Sequence, residues 1–160
     1  MIIKIDTREV DLYNLCNQKM IANETVNVVQ ETLPLGDIVI CDKEDKELIV
    51  IERKTLRDLA ASIVDGRYNE QSFRLNQLNL ENQNIIYLIE GNISTFKTVS
   101  RIDKNALLSS MVTLNYFKGF SVFRTFSIQE SCDFIIKCAI KILKEKKEGY
   151  YNKSLETTTQ

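Results

Sequence analysis

The sequence predicts a single α/β domain, on three observations. Strand-like and helix-like stretches alternate along most of its 160 residues, the pattern of layered sheet and helices. A chain of this length can bury roughly two thirds of its unfolded surface around one core. Its longest apolar runs, such as residues 85–89, fall far short of the roughly 20 residues that span a membrane.

Residues 1–6 alternate weakly between apolar and polar and read as the first strand. Asp6 and Arg8 share a face if that strand continues. A rival reading makes Asp6 a helix cap, because Leu12, Leu15, Cys16 and Met20 recur at helical spacing after it. Residues 25–32 form a second strand, closed by Pro34, the only proline.

Residues 35–59 are the centre of the chain. The β-branched runs 38–40 and 48–51 flank a charged tip at 43–46, which is the pattern of a β-hairpin. A turn centred on Glu44 and Asp45 sets Asp37 opposite Glu52, with β-carbons roughly 5 Å apart. Strand alternation then puts Lys54 on the side of Glu52. Two acids and an amine on one face outline a metal site. A phosphodiester is an anion, and its hydrolysis needs charge neutralisation and an activated water. A Mg²⁺ held by carboxylate oxygens supplies both, and a lysine beside it can orient the nucleophile or stabilise developing charge. The plain alternative is a hairpin whose charged ends are solvated.

The helix that follows has Leu56, Leu59, Ala60 and Ile63 on one face. Thr55 and Asp58 also match a capping box, so Asp58 has a structural reading beside a functional one. The turn 65–67 leads to a helix over 68–80 that places Arg67, Gln71 and Arg74 on successive turns, suited to phosphate contacts. Residues 85–90 read as an interior strand ended by Gly91. Residues 92–102 read as a mobile polar loop. Asp103 caps a helix with Leu107, Leu108, Met111, Val112 and Asn115 inward, and residues 120–124 form a short strand. The pattern Ser127-Ile-Gln-Glu130 starts the last helix. Its apolar stripe (Ile128, Cys132, Ile135, Ala139, Ile142, widened by Ile136, Ile140 and Leu143) is broader than one sheet contact needs and points to a second packing partner. Residues 147–160 read as a flexible tail after a domain spanning 1–146.

Composition narrows the function. Twenty-one basic against 22 acidic residues give a net charge of −1, so nucleic-acid affinity must come from a local patch. Arg53, Lys54, Arg57, Arg67 and Arg74 supply one around the hairpin. Cys16, Cys41, Cys132 and Cys138 lack metal-ligand spacing and the chain has no histidine, so they read as reduced core thiols of an intracellular protein. The sequence opens on a strand, without a secretory pattern.

Gly36-Asp37, then Glu52-Arg53-Lys54, then Asp58, resembles the GD…ERKxxxD signature of the XPF-type nuclease family. The resemblance extends to residues 5–9 (Ile-Asp-Thr-Arg-Glu), 62–71, Arg74-Leu75 and 87–91. It implies a restriction-endonuclease-like mixed sheet flanked by helices, in a structure-specific endonuclease acting on flapped, forked or crossover DNA in repair, recombination or replication. By the same resemblance Asp37 and Glu52 bind Mg²⁺, with Mn²⁺ as a substitute, and Asp6 is a further metal residue that lies nearby and acts through water. Lys54 positions the attacking water or the phosphate, Arg53 orients the site or touches phosphate, and Asp58 supports Lys54. Arg8, Arg57, Arg67, Gln71 and Arg74 face DNA. Products would be a 5′-phosphate and a 3′-hydroxyl. Family members pair through this domain, so a homodimer or heterodimer is expected, nuclear or at sites of replication and repair in a eukaryote. The family's C-terminal tandem helix-hairpin-helix has no room here, which leaves an excised domain or a minimal enzyme. Two rivals stand beside this reading: the same chemistry on RNA or small dinucleotides, and a non-catalytic DNA-binding partner subunit.

Overall fold

The computed structural model describes residues 1–147 and 149. Apart from Lys147 and Gly149, the tail expected over 147–160 lies outside the described residues. Six strands form one mixed sheet in the order β2-β1-β3-β4-β5-β6. They are β1 (Ile2–Asp6), β2 (Asn27–Glu31), β3 (Ile38–Cys41), β4 (Glu47–Thr55), β5 (Ile85–Glu90) and β6 (Ser121–Thr125). β3 is antiparallel to both β1 and β4, while β4, β5 and β6 run parallel. Helices α1 (Val10–Met20) and α5 (Ile128–Glu145) cover one face; α2 (Leu56–Asp65), α3 (Arg67–Asn76) and α4 (Lys104–Val112) cover the other.

Strand alternation sorts the core into two layers. Ile38, Ile40, Ile51, Ile86 and Leu88 pack towards α1 and α5. Val39, Val50, Ile85, Tyr87 and Ile89 pack towards α2, α3 and α4. β5, buried along its whole length, is the interior strand its apolar run predicts.

The β3–β4 hairpin has the expected register over Ile38↔Ile51, Val39↔Val50 and Ile40↔Ile49, then shifts at Cys41. The shift lies at the tip, where Asp42 Oδ1 accepts from the backbone N–H groups of Glu44 and Lys46, both at 2.9 Å, and Asp45 takes a positive φ. At the other end Gly36 sits at φ +80°, and a β-carbon there would come within 2.6 Å of Val50 Cγ1. Only glycine fits this combination. It lets Asp37 N–H reach Ile51 O at 2.8 Å and Asp37 O accept from Asp6 N–H at 2.9 Å. The ladder therefore extends past β3 to the acid.

Four local expectations change. α3 ends at Asn76, because Gln77 and Leu78 N–H turn back to Arg74 and Leu75 carbonyls in the tighter i−3 pattern. The segment 92–102 is structured: a 3₁₀ turn at Ile93–Thr95, capped by Asn92, precedes a bridge between Val99 and Ile102. In α4, Leu107 and Met111 are buried while Leu108 and Val112 are exposed. The inward face continues through Leu114 at the same helical spacing, and a π-helical turn, Thr113–Phe117, ends the segment. Finally, the broad stripe of α5 is used within the chain. α5 packs on the sheet and also on α1, where Cys132 Sγ lies 3.0 Å from Cys16 Sγ and Lys19 pairs with Asp133. No large apolar side chain of α5 is exposed among the described residues, so that stripe carries no argument for a dimer.

Candidate active site

The site forms where β1, β3 and β4 meet α2. Glu52 and Lys54 alternate onto the α2 side of the sheet, in register with Tyr87 and Ile89 of β5. Asp37 occupies the hairpin position opposite Glu52. Glu52 and Lys54 are only 8% and 7% exposed. Asp37 gives one oxygen, Oδ2, to the backbone N–H of Arg53 at 2.8 Å. The Glu52 carboxylate and the Lys54 ammonium have no hydrogen-bond or ion-pair partner among the described residues.

Burial sets the acidity of this pair. It pushes the Glu52 carboxyl up to about 8, and the neighbouring Asp37 charge adds to the rise; Lys54 and Arg8 oppose it. Burial likewise raises Asp37 to about 6, against the Arg53 N–H bond and the Lys54 and Arg8 charges. Two desolvated, mutually repelling carboxylates with spare oxygens are a donor set that a divalent cation would stabilise. No cluster of three or more metal-type side chains exists among the described residues.

Asp6 is near but differently engaged. Its Oδ1 accepts from Leu33 N–H at 2.9 Å, and its Oδ2 accepts from Arg8 N–H at 3.0 Å and Arg8 Nε at 2.7 Å. Three of the roughly four acceptor sites of a carboxylate are thus occupied, and Asp6 is 1% exposed. Burial works to raise its pKa, yet the bonds from Arg8 and Leu33 hold it below the usual range. Asp6, expected near the metal, thus keeps about one acceptor site, and its bonds anchor Arg8 and the β1–α1 turn. Arg8 is exposed and feels the charges of Asp37 and Glu52 as well as Asp6.

Arg53 alternates to the α1/α5 side, away from Glu52 and Lys54, so of its two expected roles the geometry favours orienting the site over touching a phosphate beside them. Its Nε and Nη2 donate to Glu90 Oε1 and Oε2 at 3.0 and 2.7 Å, and Nη1 donates to Glu9 Oε2 at 2.9 Å. Ser131 Oγ donates to Glu90 Oε1 at 2.7 Å, and Thr125 Oγ1 lies 2.6 Å from Ser131 Oγ. This network ties the start of α1, β4, β5 and α5 together behind the face that carries Glu52 and Lys54.

Asp58 is exposed; its N–H caps on Thr55 Oγ1 at 3.1 Å, and its carboxylate makes no bond to Lys54. The expected support of Lys54 is therefore absent. Arg57 and Arg74 are exposed without ion pairs among the described residues, whereas Arg67 Nε donates to Asp65 Oδ2 at 2.7 Å. Gln71 Oε1 and Tyr87 Oη are buried without hydrogen-bond partners. Tyr87, across the ladder from Glu52, is a site residue that sequence reasoning missed. Its phenol is pushed well above its ordinary value by burial and then by the Glu52 charge. Glu90 was missed as well, although a glutamate closing a wholly buried apolar strand signals a waiting counter-charge.

With this geometry in place, comparison with known proteins is informative. The ERCC4 domain model matches residues 5–138. The probable crossover junction endonuclease mus81 of Dictyostelium discoideum is 35% identical over 89% of this chain, and the structure-specific endonuclease subunit MUS81 of Homo sapiens is 33% identical over 74%. The chain spans only 17% and 20% of those relatives' own lengths. Among solved structures, XPF from Aeropyrum pernix in complex with DNA superposes with a TM-score of 0.69 at 25% identity, covering 90% of this chain and 66% of that one. The chain belongs to the ERCC4 domain family, and its mixed sheet between two helical layers is the fold of that family's XPF nuclease structures.

Proposed function

We propose that this chain is a Mg²⁺-dependent endonuclease domain that hydrolyses phosphodiester bonds of DNA at single-strand/duplex junctions. The observation that carries the reading is the facing pair of half-buried Asp37 and buried Glu52, both raised in pKa and beside the buried, unpartnered Lys54. The free oxygen of Asp37 and the carboxylate of Glu52 would hold Mg²⁺, or Mn²⁺ in its place. When bound, the ion supplies charge neutralisation at the phosphate and lowers the pKa of water. The Lys54 ammonium donates to the attacking water or to a scissile phosphate oxygen. Arg8, fixed by Asp6, meets the strand at the open side of the site. Arg57 and Arg74 contact flanking phosphates, with Arg67 joining when it exchanges Asp65 for a phosphate. Gln71, half-buried on α3 between Arg67 and Arg74, joins them on the side facing the strand. Products are a 5′-phosphate and a 3′-hydroxyl.

The names of the relatives support the substrate class: a crossover junction endonuclease, a structure-specific endonuclease subunit and a DNA complex. Pairing with a second copy or a related chain is part of the proposal. One surface available for it is the exposed row Leu108 and Val112 on α4. No helix among the described residues is long and apolar enough to cross a membrane, and action on DNA implies the nucleus or sites of replication and repair if the source is a eukaryote. The test is cleavage of labelled flap, fork and crossover DNA, with RNA and a dinucleotide alongside, by wild type and Asp37→Ala with and without divalent ion. Junction DNA should be cut only by wild type with the ion. Lys54→Ala should lower the rate by about 10²–10³-fold. Cutting by Asp37→Ala at the wild-type rate, or cutting of the dinucleotide alone, would overturn the proposal.

A further inference from the structure

On the α3–α4 side of the sheet, separate from the acid pair, lies an open groove of about 510 Å³, within the roughly 300–1,000 Å³ range of ligand clefts. Its rims are two phenyl rings standing in solvent: Phe73 of α3 is 67% exposed and Phe117, at the end of the π-helical turn, is 75% exposed. Aromatic rings are usually buried, because each covers a large apolar area. The π turn is what carries Phe117 outward: Lys118 N–H bonds to Thr113 O at 3.0 Å, five residues back. Such turns recur at functional sites.

Between the rings the lining is polar. Asn69 and Asn76 project from α3, and Asn82 Nδ2 donates to Asn76 Oδ1 and Lys118 O, both at 2.7 Å. Those bonds leave Asn82 Oδ1 and Asn76 Nδ2, an acceptor and a donor, for an incoming ligand. Lys118 Nζ reaches Ser72 Oγ and sits 5.0 Å from the Tyr68 ring centroid. No carboxylate lines the groove, in a chain with more acidic than basic residues. The buried floor is Phe120, whose ring lies 5.5 Å from that of Tyr87, the register neighbour of Glu52. Groove and acid pair thus open on the same side of the sheet.

We propose that this groove holds unpaired nucleotides of a single-stranded DNA arm, with bases stacked on Phe73 and Phe117, base edges on the asparagine amides and the phosphate on Lys118. Stacking rings, amides and one cation without acids match the chemistry of single-strand recognition. A dry protein interface would leave these amides and the lysine to be desolvated without partners. The inference rests on the reading of the chain as acting on DNA.

The chain has no tryptophan, so Phe117→Trp installs a single fluorescent reporter in the groove. Titration with (dT)12 in EDTA, where no cleavage occurs, should quench its emission, while a 12-base-pair blunt duplex should not. By anisotropy, the double variant Phe73→Ala/Phe117→Ala should bind labelled (dT)12 about tenfold or more weakly than wild type, with duplex affinity unchanged. Circular dichroism checks the fold, and Phe73→Trp provides an independent reporter if Phe117→Trp disturbs the π turn. Absence of quenching from both reporters, or unchanged (dT)12 affinity in the double variant, overturns the proposal. So does a protein-concentration-dependent shift of emission without DNA, which would assign the groove to a second copy of the chain. Because binding is read without cleavage, failure of the hydrolysis reading shows only in the cleavage assay and failure of this one only here.

Discussion

Replacing Glu52 by glutamine should make the metal-free protein more stable at alkaline pH while abolishing its response to Mg²⁺. Glu52 is an acid whose folded pKa is raised, from 4.5 to about 8, by burial and by Asp37. Below pH 4.5 both folded and unfolded states hold the proton and the group contributes nothing to the pH dependence. Between the two values only the folded state holds it, so stability falls as pH rises. Above pH 8 the full cost of a buried, ionised carboxylate is present. At roughly 1.4 kcal/mol per pH unit, the raised value corresponds to about 3–5 kcal/mol lost between pH 4.5 and 8. Asp37, raised to about 6, adds a smaller loss in the lower part of that window. For a chain of this size each kcal/mol moves Tm by about 2–4 °C, so the Glu52 share is about 10 °C.

Glutamine keeps the shape and removes the charge. Calorimetric scans in EDTA should show the wild type losing about 10 °C more than Glu52→Gln between pH 5 and 8.5. Added Mg²⁺ should restore the wild type at pH 8.5, by the linkage that stabilises any state that binds a ligand, and leave Glu52→Gln unmoved. The variant should also fail to cut DNA, trading activity for stability. If wild type and Glu52→Gln share the same pH slope in EDTA, Glu52 is solvated and the argument from burial fails.

Arg53→Ala should cost about 3–5 kcal/mol in urea denaturation, because it strands Glu9 and Glu90 without their cation; a loss below 1 kcal/mol would show that water replaces the guanidinium. Gly36→Ala should cost about 2–4 kcal/mol, combining a left-handed φ with a methyl group driven into Val50; unchanged stability would mean that the turn before Asp37 has another low-energy form. Leu108→Lys with Val112→Lys should convert a paired species to a monomer in sedimentation at unchanged Tm, and an unaltered mass would move the pairing surface elsewhere.

Much of the fold was legible because local and long-range signals agreed. The β-branched runs on either side of a charged tip define a hairpin whose register follows from burying one face, since a slip by one residue would turn Val39 and Val50 to the wrong layer. The continuous apolar run of β5 could only be an interior strand. Where the reading missed, tertiary structure had redirected a local pattern. The apolar arc of α4 is wider than its buried face: Leu107, Met111 and Leu114 meet the core while Leu108 and Val112, at the edge of the arc, stay exposed, and spacing alone does not say where that edge falls. The wide stripe of α5 suggested a second chain because its actual second partner, α1, lies more than a hundred residues earlier, as the Cys16–Cys132 contact shows.

The site divides along the same line. Asp37, Glu52 and Lys54 were legible because they lie on one ribbon, where register and alternation alone bring them together. That alternation also placed Arg53 on the opposite face, and its partners Glu9 and Glu90 stand on elements 44 and 37 residues away, beyond the reach of any local rule. Asp6 shows the limit from the other direction: the residue type is right for a metal and the position is close, but its backbone and arginine bonds decide how many oxygens remain. An acid is available to an ion only when its own chain has left lone pairs free. In this molecule Glu52 has kept all of its acceptors, Asp37 has kept most, and Asp6 has spent nearly all. By the same accounting the proposed Mg²⁺ would draw on Glu52 and Asp37 and fill its other positions with water.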